Sequence, residues 1–321
     1  MKITVFHLNQ LGDMLFSLPL LYNLRKVFNN AKIVSICSSL DLLKFIYQTT
    51  NLIDDFIVRP RDLKVKHKLS FIKRVMSEKF DISIHLSQSL DATLTAFICG
   101  IPHRVGFKTA AMSFLYTQKV EFIPPPSVYN NLAILESLKI PIFKRDYVGL
   151  INVTTTTDTF KKFNITNNDF IVGISPATSK RRKYKMWSNK KFAEVIEYFI
   201  KHYSVKCFLL GSLNDFHVCL DIVNNININT FKNIVNLAGK TTLLEVACIL
   251  KRTNIFIGVD SGLLHLASSF EVPVVGLFGK TLPEYIGPQG KNKIVIKKDN
   301  IQEITSEEVI KAAELLLGKQ L

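Results

Sequence analysis

Long apolar runs and a secretory leader are both missing from this 321-residue sequence. No apolar stretch approaches the roughly 18 residues that a membrane-spanning helix needs. Asn9, Gln10 and Asp13 interrupt the first apolar stretch too early for the hydrophobic region of a signal peptide. These absences predict a cytosolic protein and leave open a peripheral position on a membrane.

Paired cysteines are missing as well. The five cysteines are odd in number and scattered, mostly within apolar runs, so no disulfide framework and no metal-ligand pair is expected. We predict that they are buried free thiols: Cys37, Cys99, Cys207, Cys219 and Cys248.

Several motifs that define enzyme classes do not occur. There is no G-x-G-x-x-G for a dinucleotide, no H-E-x-x-H for zinc and no G-x-S-x-G nucleophile elbow. Gly239-Lys240-Thr241 resembles the end of a P-loop, but Ile234 stands where the first glycine is required. No strand is predicted to lead directly into that segment either, so we reject a P-loop.

Positive charge is abundant. The chain has 41 Lys and Arg against 26 Asp and Glu, a formal net charge of +15, and 47% of its residues are hydrophobic. Such a chain can build a sizeable core, and its excess charge indicates acidic partners such as phosphates, nucleic acid or an anionic membrane face. Its length fits two domains of about 150 residues each.

Strand-like and helix-like segments alternate along most of the chain, which predicts α/β domains with parallel sheets and helices on both faces. Predicted strands cover residues 2–8, 32–37, 55–58, 82–86, 170–174, 205–210, 255–259 and 272–278. Predicted helices cover residues 14–28, 41–48, 67–79, 128–138, 192–200 and 305–317, and one follows the capping box of Thr242 and Glu245. Pro19 is expected to strain or kink the first helix. Composition shifts over Gly149–Asn168, so we predict domains at 1–150 and 151–321.

The stretch around Asp260 is the most informative one. A buried strand over 255–259 is followed by Asp260-Ser261-Gly262 and then by apolar residues at helical spacing. The start of such a helix carries unpaired N–H groups and partial positive charge, which suits a phosphate. His265 lies one turn further on. The alternative is a plain N-cap beside a structural histidine.

Two further segments follow predicted strand ends, where open α/β sheets bind ligands. Asp13 follows the first strand, although a helix start favours an acidic residue for its dipole alone. The basic run Lys180–Lys185 is followed by Trp187, the only tryptophan in the chain, so phosphate binding is favoured over a solvated loop. His85 alternates with apolar neighbours and is predicted to lie in the core.

Four stretches of the sequence, spread over almost its whole length, together resemble glycosyltransferase family 9, the ADP-heptose:lipopolysaccharide heptosyltransferases. They are Leu11-Gly12-Asp13-Met14 with Pro19 behind it, Ser175-Pro176-Ala177-Thr178 running to Lys185-Met186-Trp187, Ala238-Gly239-Lys240-Thr241, and Val259-Asp260-Ser261-Gly262 with His265, continuing through Gly276-Leu277-Phe278-Gly279 to Gly287-Pro288.

The resemblance implies a GT-B fold, in which two Rossmann-like domains with parallel sheets face each other across a cleft. The first domain would bind the acceptor and the second the nucleotide sugar, with the last helix crossing back to the first domain. It implies an inverting enzyme without metal or cofactor that moves L-glycero-D-manno-heptose from ADP-heptose to the lipopolysaccharide inner core, on Kdo-lipid A or the first heptose. The enzyme would work at the cytoplasmic membrane surface and bind no nucleic acid.

The resemblance also implies residue roles. Asp13 matches the catalytic base beside Gly12 of the acceptor loop, and Lys185 matches the lysine at the donor phosphates. The remaining donor-binding positions are Thr178, Ser179, Asp260, Ser261, Gly262 and His265.

The chain departs from the family pattern at three positions. The lysine match can slip to Lys183, a position that is often basic holds His7, and an acidic position corresponds only loosely to Asp215. Acceptor choice is expected to reside in the loops Arg59–His67, Ser87–Asp91 and His103–Tyr116. Two alternative functions stay open: transfer of another sugar, and a non-catalytic basic protein that binds nucleic acid or membrane.

Overall fold

Two six-stranded parallel sheets organise the chain in its computed structural model, which describes residues 1–61, 64–154, 157–226 and 233–318. The chain divides into two compact units, Met1–Asn152 and Val153–Leu321, called here the first and second domains. The boundary predicted from composition lies at residue 150. Both domains alternate strands with helices, as the sequence predicts.

The first domain consists of β1 (Lys2–Phe6), α1 (Leu11–Val27), β2 (Lys32–Cys37), α2 (Leu40–Thr49), β3 (Asp55–Val58), α3 (Val65–Glu78), β4 (Ile82–His85), α4 (Leu90–Ile98), β5 (His103–Phe107), β6 (Gln118–Val120) and α5 (Val128–Ser137). Its strand order is β3-β2-β1-β4-β5-β6. Helices α3 and α4 cover one face of this sheet, where Phe71, Val75, Ala92 and Ala96 pack on residues of β1, β2 and β3.

The second domain consists of α6 (Thr157–Lys162), β7 (Phe170–Ser175), a 3-10 segment (Lys180–Lys185), α7 (Asn189–His202), β8 (Val205–Leu209), α8 (Phe216–Asn224), β9 (Ile234–Asn236), α9 (Leu243–Arg252), β10 (Ile255–Val259), α10 (Gly262–Ser269), β11 (Val274–Phe278), α11 (Pro283–Ile286), β12 (Lys293–Lys297) and α12 (Ser306–Gly318). Its strand order, β9-β8-β7-β10-β11-β12, repeats that of the first domain. Each sheet therefore reverses direction of winding once, between β1 and β4 and between β7 and β10. Such a reversal point is where a Rossmann-like sheet binds its ligand.

Four features of local structure go beyond the expectations from the sequence, and the strain or kink expected at Pro19 stays a prediction. Helix α1 runs without interruption through Pro19, and the side chain of Asn23 donates a 2.8 Å hydrogen bond to the Pro19 carbonyl. Helix α4 begins directly after the polar loop that ends at Ser89. Strand β9 lies just before Gly239, where no strand was expected. The segment Gly149–Asn168, where the composition shifts between the domains, contains helix α6, and this helix packs on α9.

Helix α12 packs against α7 and against β10, β11 and β12 of the second domain. Val309, Ala313 and Leu316 bury its apolar side in the core cluster of that domain. A capping box lies at its start, since Thr305 and Glu308 exchange backbone-to-side-chain hydrogen bonds of 2.8 and 3.1 Å. The crossing of this helix to the first domain stays a prediction.

Candidate functional site

A buried ion pair marks the reversal point of the second sheet. Asp260 directly follows β10, and its Oδ2 accepts a charge-assisted hydrogen bond from Nζ of Lys185, at the end of the 3-10 segment after β7. Their side chains are only 7% and 4% exposed. A charge removed from water is tolerated only when it is paired, so each residue requires the other. The pair holds a lysine at the carboxyl ends of two adjacent strands.

The structure distinguishes Lys185 from Lys183, the two lysines that the sequence offers as the one at the donor phosphates. Lys185 is buried at the strand ends, whereas Lys183 is exposed to solvent. The ammonium of Lys185 is bound by Asp260 in this structure, so its direct contact with a phosphate stays a prediction. Thr178 is half-buried and Ser179 is exposed on the segment that leads to it.

The start of α10 does not have the geometry of a plain side-chain cap. Ser261 occupies the N-cap position with an extended backbone, but its side chain makes no capping hydrogen bond. Its Oγ is buried and has no hydrogen-bond partner among the described residues. Helix α10 then begins at Gly262 with backbone N–H groups that have no intrahelical acceptor. A hydroxyl and several amide donors are therefore available at one helix start.

His265 lies one turn into α10 and is 2% exposed. Its pKa is lowered to about 4, mainly by burial; the nearby Asp260 opposes this shift and the nearby Lys185 adds to it. The imidazole is therefore neutral at pH 7, so it adds a polar group to this edge of the sheet without adding charge.

Two more hydroxyls at this edge resemble that of Ser261. Thr241 follows β9 and Thr281 follows β11, and the Oγ1 atoms of both are buried without a partner among the described residues. An unsatisfied buried hydroxyl costs about 1–3 kcal/mol, so each one indicates a bound water or a ligand that would satisfy it. Ser261 and Thr281 follow the adjacent strands β10 and β11, whereas Thr241 follows β9, the outermost strand at one side of the same sheet.

Gly239 accounts for the turn that precedes Thr241. Its φ of +73° favours glycine, and a Cβ there would lie 2.7 Å from Cα of Leu213. The Gly239 N–H donates a 3.0 Å hydrogen bond to the carbonyl of Gly211, which ties the loop after β9 to the loop after β8. The segment Gly239-Lys240-Thr241, which resembles the end of a P-loop in sequence, thus begins with a tight turn that is bonded to the loop after β8.

Trp187 has a structural role. It is 2% exposed, and its Nε1–H donates a 3.0 Å hydrogen bond to the carbonyl of Ile304. Its ring packs edge-on against Phe192, with centroids 4.8 Å apart. The tryptophan therefore anchors the basic segment to the core and does not itself indicate phosphate binding, so phosphate binding by Lys180–Lys185 stays a prediction.

Asp13 follows β1, at the reversal point of the sheet in the first domain. Helix α1 begins at Leu11, so Gly12 and Asp13 form its first turn, next to the carboxyl end of β1, and both are half-buried. A carboxylate in a first turn interacts favourably with the helix dipole. The position is compatible with a catalytic base and with a structural acid.

Arg59 belongs to the same edge and was not singled out from the sequence. It follows β3 and is half-buried; its Nε donates to Oγ of Ser38 over 3.1 Å and its Nη1 to Oγ of Ser89 over 2.8 Å. Burial lowers the pKa of this guanidinium, and the nearby Asp91 opposes that shift. The serines come from the loops after β2 and β4, so two neutral hydroxyls orient a cation at the sheet edge. Within the expected acceptor loop Arg59–His67, residues 62 and 63 lie outside the described residues.

Several other candidates are structural. Asp215 accepts hydrogen bonds from N and Oγ of Ser212, at 2.8 and 2.7 Å, and so caps a short helical turn. His7 and His85 are buried, and burial lowers the pKa of each to about 3. His85 stacks on Phe6 with ring centroids 4.6 Å apart, which confirms that it is a core residue.

The described residues contain no group of three His, Cys, Asp or Glu side chains placed to hold a metal ion. In the same part of the chain, no helix is both long and apolar enough to span a bilayer.

Comparison with known proteins gives a family match, related sequences and similar solved structures. The family model "Glycosyltransferase family 9 (heptosyltransferase)" matches residues 68–314. The chain is 26% identical to lipopolysaccharide heptosyltransferase 3 of Escherichia coli K12, covering 95% of both chains. It superimposes on E. coli ADP-heptose lps heptosyltransferase II with a TM-score of 0.86, at 21% identity over 100% of this chain and 99% of the other. For E. coli heptosyltransferase WaaC with ADP the TM-score is 0.78, at 18% identity over 98% of this chain and 100% of the other.

Proposed function

Because the chain belongs to glycosyltransferase family 9 and is a glycosyltransferase of the GT-B class, we propose that it is an inverting heptosyltransferase. It transfers L-glycero-D-manno-heptose from ADP-heptose to a hydroxyl of the lipopolysaccharide inner core, on Kdo-lipid A or on the first heptose. The observation that best supports a donor-binding site is the buried Lys185–Asp260 pair. It lies beside the buried hydroxyl of Ser261, at the reversal point of the second sheet.

The donor diphosphate binds at the start of α10. The amide groups around Gly262 and the hydroxyl of Ser261 donate to its oxygens, and the helix dipole favours its charge. Thr178, Ser179 and the neutral imidazole of His265 complete the donor-binding set. Thr241 and Thr281 supply further buried hydroxyls along the same edge.

Departure of the leaving group requires compensation of new negative charge. As the bond between the anomeric carbon and the phosphate oxygen breaks, the electron pair passes to the β-phosphate of ADP. Fixed dipoles and a nearby ammonium stabilise such charge without reorganisation, because they are already oriented before the reaction. Lys185 supplies the ammonium, and Asp260 holds it in place.

The acceptor side requires a base. The attacking hydroxyl forms the new bond to the anomeric carbon and loses its proton, which a carboxylate within hydrogen-bond reach can accept. Asp13, in the first turn of α1 beside Gly12, takes this role. A single displacement at the anomeric carbon inverts its configuration.

The acceptor carries carboxylates and phosphates, and we assign one of its anionic groups to Arg59. Two neutral serine hydroxyls orient this guanidinium, so its charge stays available for a ligand. The enzyme works at the inner face of the cytoplasmic membrane, needs neither metal nor cofactor, and binds no nucleic acid.

The decisive experiment is a donor panel. The purified protein is incubated with Kdo-lipid A or its heptosylated product and with ADP-heptose, UDP-glucose or GDP-mannose, and release of the nucleotide is measured. We expect release of ADP only, dependent on acceptor and unchanged by EDTA. Release of UDP or GDP instead would assign another sugar within the family, and no release from any pair would contradict the assignment.

A further inference from the structure

Helix α3 carries an apolar stripe that the rest of the described chain leaves uncovered. Val65, Leu69 and Met76 are 70%, 52% and 46% exposed, and Ile72 is half-buried between them. These residues are spaced by four, three and four positions, so they fall within about 60° of one another around the helix. The stripe continues along the whole length of the helix.

The stripe is distinct from the face that anchors α3 to its domain. Phe71 and Val75 belong to the core cluster under the helix. Seen along the axis, these core residues lie about 120° away from the centre of the exposed stripe. The helix thus has two apolar sides, of which packing within the domain uses one.

Lysines border the exposed stripe on both sides. Lys66 and Lys73 are exposed and lie about 80° from its centre on one side, and Lys68 is half-buried about 70° away on the other. The only carboxylate of the helix, Glu78, is 6% exposed at its side chain and pairs with Lys2, Lys32 and Arg74. The solvent side of α3 therefore presents cations and apolar groups but no exposed acid.

The end of α4 lies beside α3 and also carries exposed apolar residues. Sγ of Cys99, the residue after α4, lies 3.5 Å from the carbonyl oxygen of Ile72, which places the two helices side by side. Phe97 and Ile98, the last two residues of α4, are 50% and 52% exposed.

We propose that this surface, the α3 face (Val65, Leu69, Ile72 and Met76 with Lys66, Lys68 and Lys73), docks the enzyme on an anionic lipid bilayer. Its apolar stripe enters the boundary between headgroups and acyl chains, and the lysine stems extend so that their ammonium groups meet lipid phosphates. The positive charge of the α3 face favours an anionic lipid surface as its partner, because the face has cations and no exposed carboxylate. The inference rests on the proposed function only in that the acceptor is a glycolipid.

The test is flotation of the full chain with vesicles of phosphatidylcholine, with or without phosphatidylglycerol. We expect binding to the phosphatidylglycerol vesicles and little binding to phosphatidylcholine alone. The double variant Leu69→Asp/Met76→Asp should lower the partition coefficient at least tenfold. Lys68→Gln/Lys73→Gln should lower it by about tenfold or more, since each lysine near an anionic surface contributes about 1 kcal/mol.

The control is Leu315→Asp, which places one such negative charge on α12 of the second domain at a leucine that is 57% exposed. We expect its vesicle binding to equal that of the wild type. Circular dichroism melting of every variant establishes that it is folded. Unchanged binding by both double variants, or equal loss in the Leu315→Asp control, would overturn the proposal.

Two further measurements distinguish a membrane-docking face from a catalytic or dimer-forming one. Turnover of Leu69→Asp/Met76→Asp should be unchanged on a deacylated, water-soluble acceptor and reduced on the same acceptor embedded in vesicles. Complete inactivity of the wild type would contradict the proposed function but leave the flotation result standing. If light scattering finds a wild-type dimer that the double variant dissociates while vesicle binding is unchanged, the α3 face is a protein interface and the proposal is wrong.

Discussion

The two domains share one strand order but carry different side chains at the ends of corresponding strands. In the first sheet a half-buried carboxylate, Asp13, follows β1 at a helix start. In the second sheet a buried ion pair, Lys185–Asp260, and a buried hydroxyl, that of Ser261, follow β7 and β10. The shared topology determines where a ligand binds, and the side chains determine whether the site accepts a proton or binds an anion.

The surfaces of the domains differ as well. Among the described residues, sixteen large hydrophobic side chains are exposed in the first domain and six in the second. Their charges are similar: 19 Lys and Arg against 11 Asp and Glu before residue 153, and 22 against 15 after it. Exposed apolar area, more than net charge, therefore distinguishes the domain that we assign to the lipid acceptor.

Replacing Asp13 tests most directly whether the first domain supplies the base while the second domain binds the nucleotide. Asp13→Ala removes the proposed base and should lower kcat by about 10²–10⁴, since general base catalysis supplies an effect of that size. ADP affinity should stay unchanged, because the proposed nucleotide site lies in the second domain. Turnover is measured by ADP release and affinity by calorimetry.

The control is Asp146→Ala, at an acid of the first domain that pairs with Lys144 near its surface. It should leave both quantities unchanged. Near-normal turnover in Asp13→Ala would show that this carboxylate is a structural acid at a helix start.

Lys185→Met tests the second site. Loss of the ammonium should lower both kcat and ADP affinity, each by about tenfold or more, because a charge-assisted contact contributes roughly 1.5–3 kcal/mol. The variant also leaves Asp260 buried and unpaired, so the free energy of unfolding should fall by about 3–5 kcal/mol. Activity assays, calorimetry and urea unfolding measure these effects.

Two matched variants separate stability from binding. Lys183→Met changes an exposed lysine and should change neither ADP affinity nor stability by much. Lys185→Met/Asp260→Asn removes the unpaired charge, so it should recover stability without recovering ADP affinity. Normal ADP affinity in Lys185→Met would transfer the role to Lys183 or remove it.

Acidification should lower the stability of the two domains to different extents, because the domains contain different numbers of buried histidines. Burial lowers the pKa of His7 and His85 in the first domain to about 3 and that of His265 in the second to about 4. The unfolded chain binds protons near pH 6.5 while the folded chain does not, so stability falls as pH drops below that value. Each histidine contributes up to about 1.4 kcal/mol per pH unit, and the first domain should lose stability about twice as steeply.

Trp187 makes this measurable, because the only tryptophan lies in the second domain. Its fluorescence reports that domain, whereas far-UV circular dichroism reports both, so the two unfolding curves should separate on acidification. His85→Gln should reduce the separation. Coincident curves from neutral pH to about pH 5 would contradict the expected difference.

Arg59→Ala should have the smallest of these effects. It removes one proposed contact to an anionic group of the acceptor, so KM for the acceptor should rise by about tenfold, the size of one charge-assisted hydrogen bond. Arg145→Ala is the control, since the Arg145 side chain is 66% exposed in the same domain. Initial rates at varied acceptor concentration measure both. An unchanged KM in Arg59→Ala would remove this residue from the acceptor site.

Much of the fold follows from the sequence because buried parallel strands are short apolar runs with polar turns after them. The strands around Ile33 and Phe256 are of this kind, and their predicted positions are confirmed. Strand β9 has only three residues, and β12 begins and ends with lysine, so neither gives a clear apolar signal. Both strands, β9 and β12, are the outermost of their sheet, where less burial is required.

The site is less predictable because its contacts join distant positions. Lys185 and Asp260 are 75 residues apart, and no local pattern marks them as partners. The two serines that orient Arg59 lie 21 and 30 residues from it. Short polar turns after strands reveal where the site lies, but only the folded sheet shows which side chains meet.

The hydrogen bond from Trp187 to Ile304 has a consequence for synthesis of the chain. The basic segment that ends at Lys185 is fixed from behind by a carbonyl more than a hundred residues later, immediately before α12. The first domain contains all of its own strands before residue 153. On the ribosome the first domain can fold once its own residues have emerged, whereas the contact that fixes the basic segment of the second domain forms only after Ile304 has been synthesised. The domain proposed to bind the acceptor is therefore complete before the domain proposed to bind the donor.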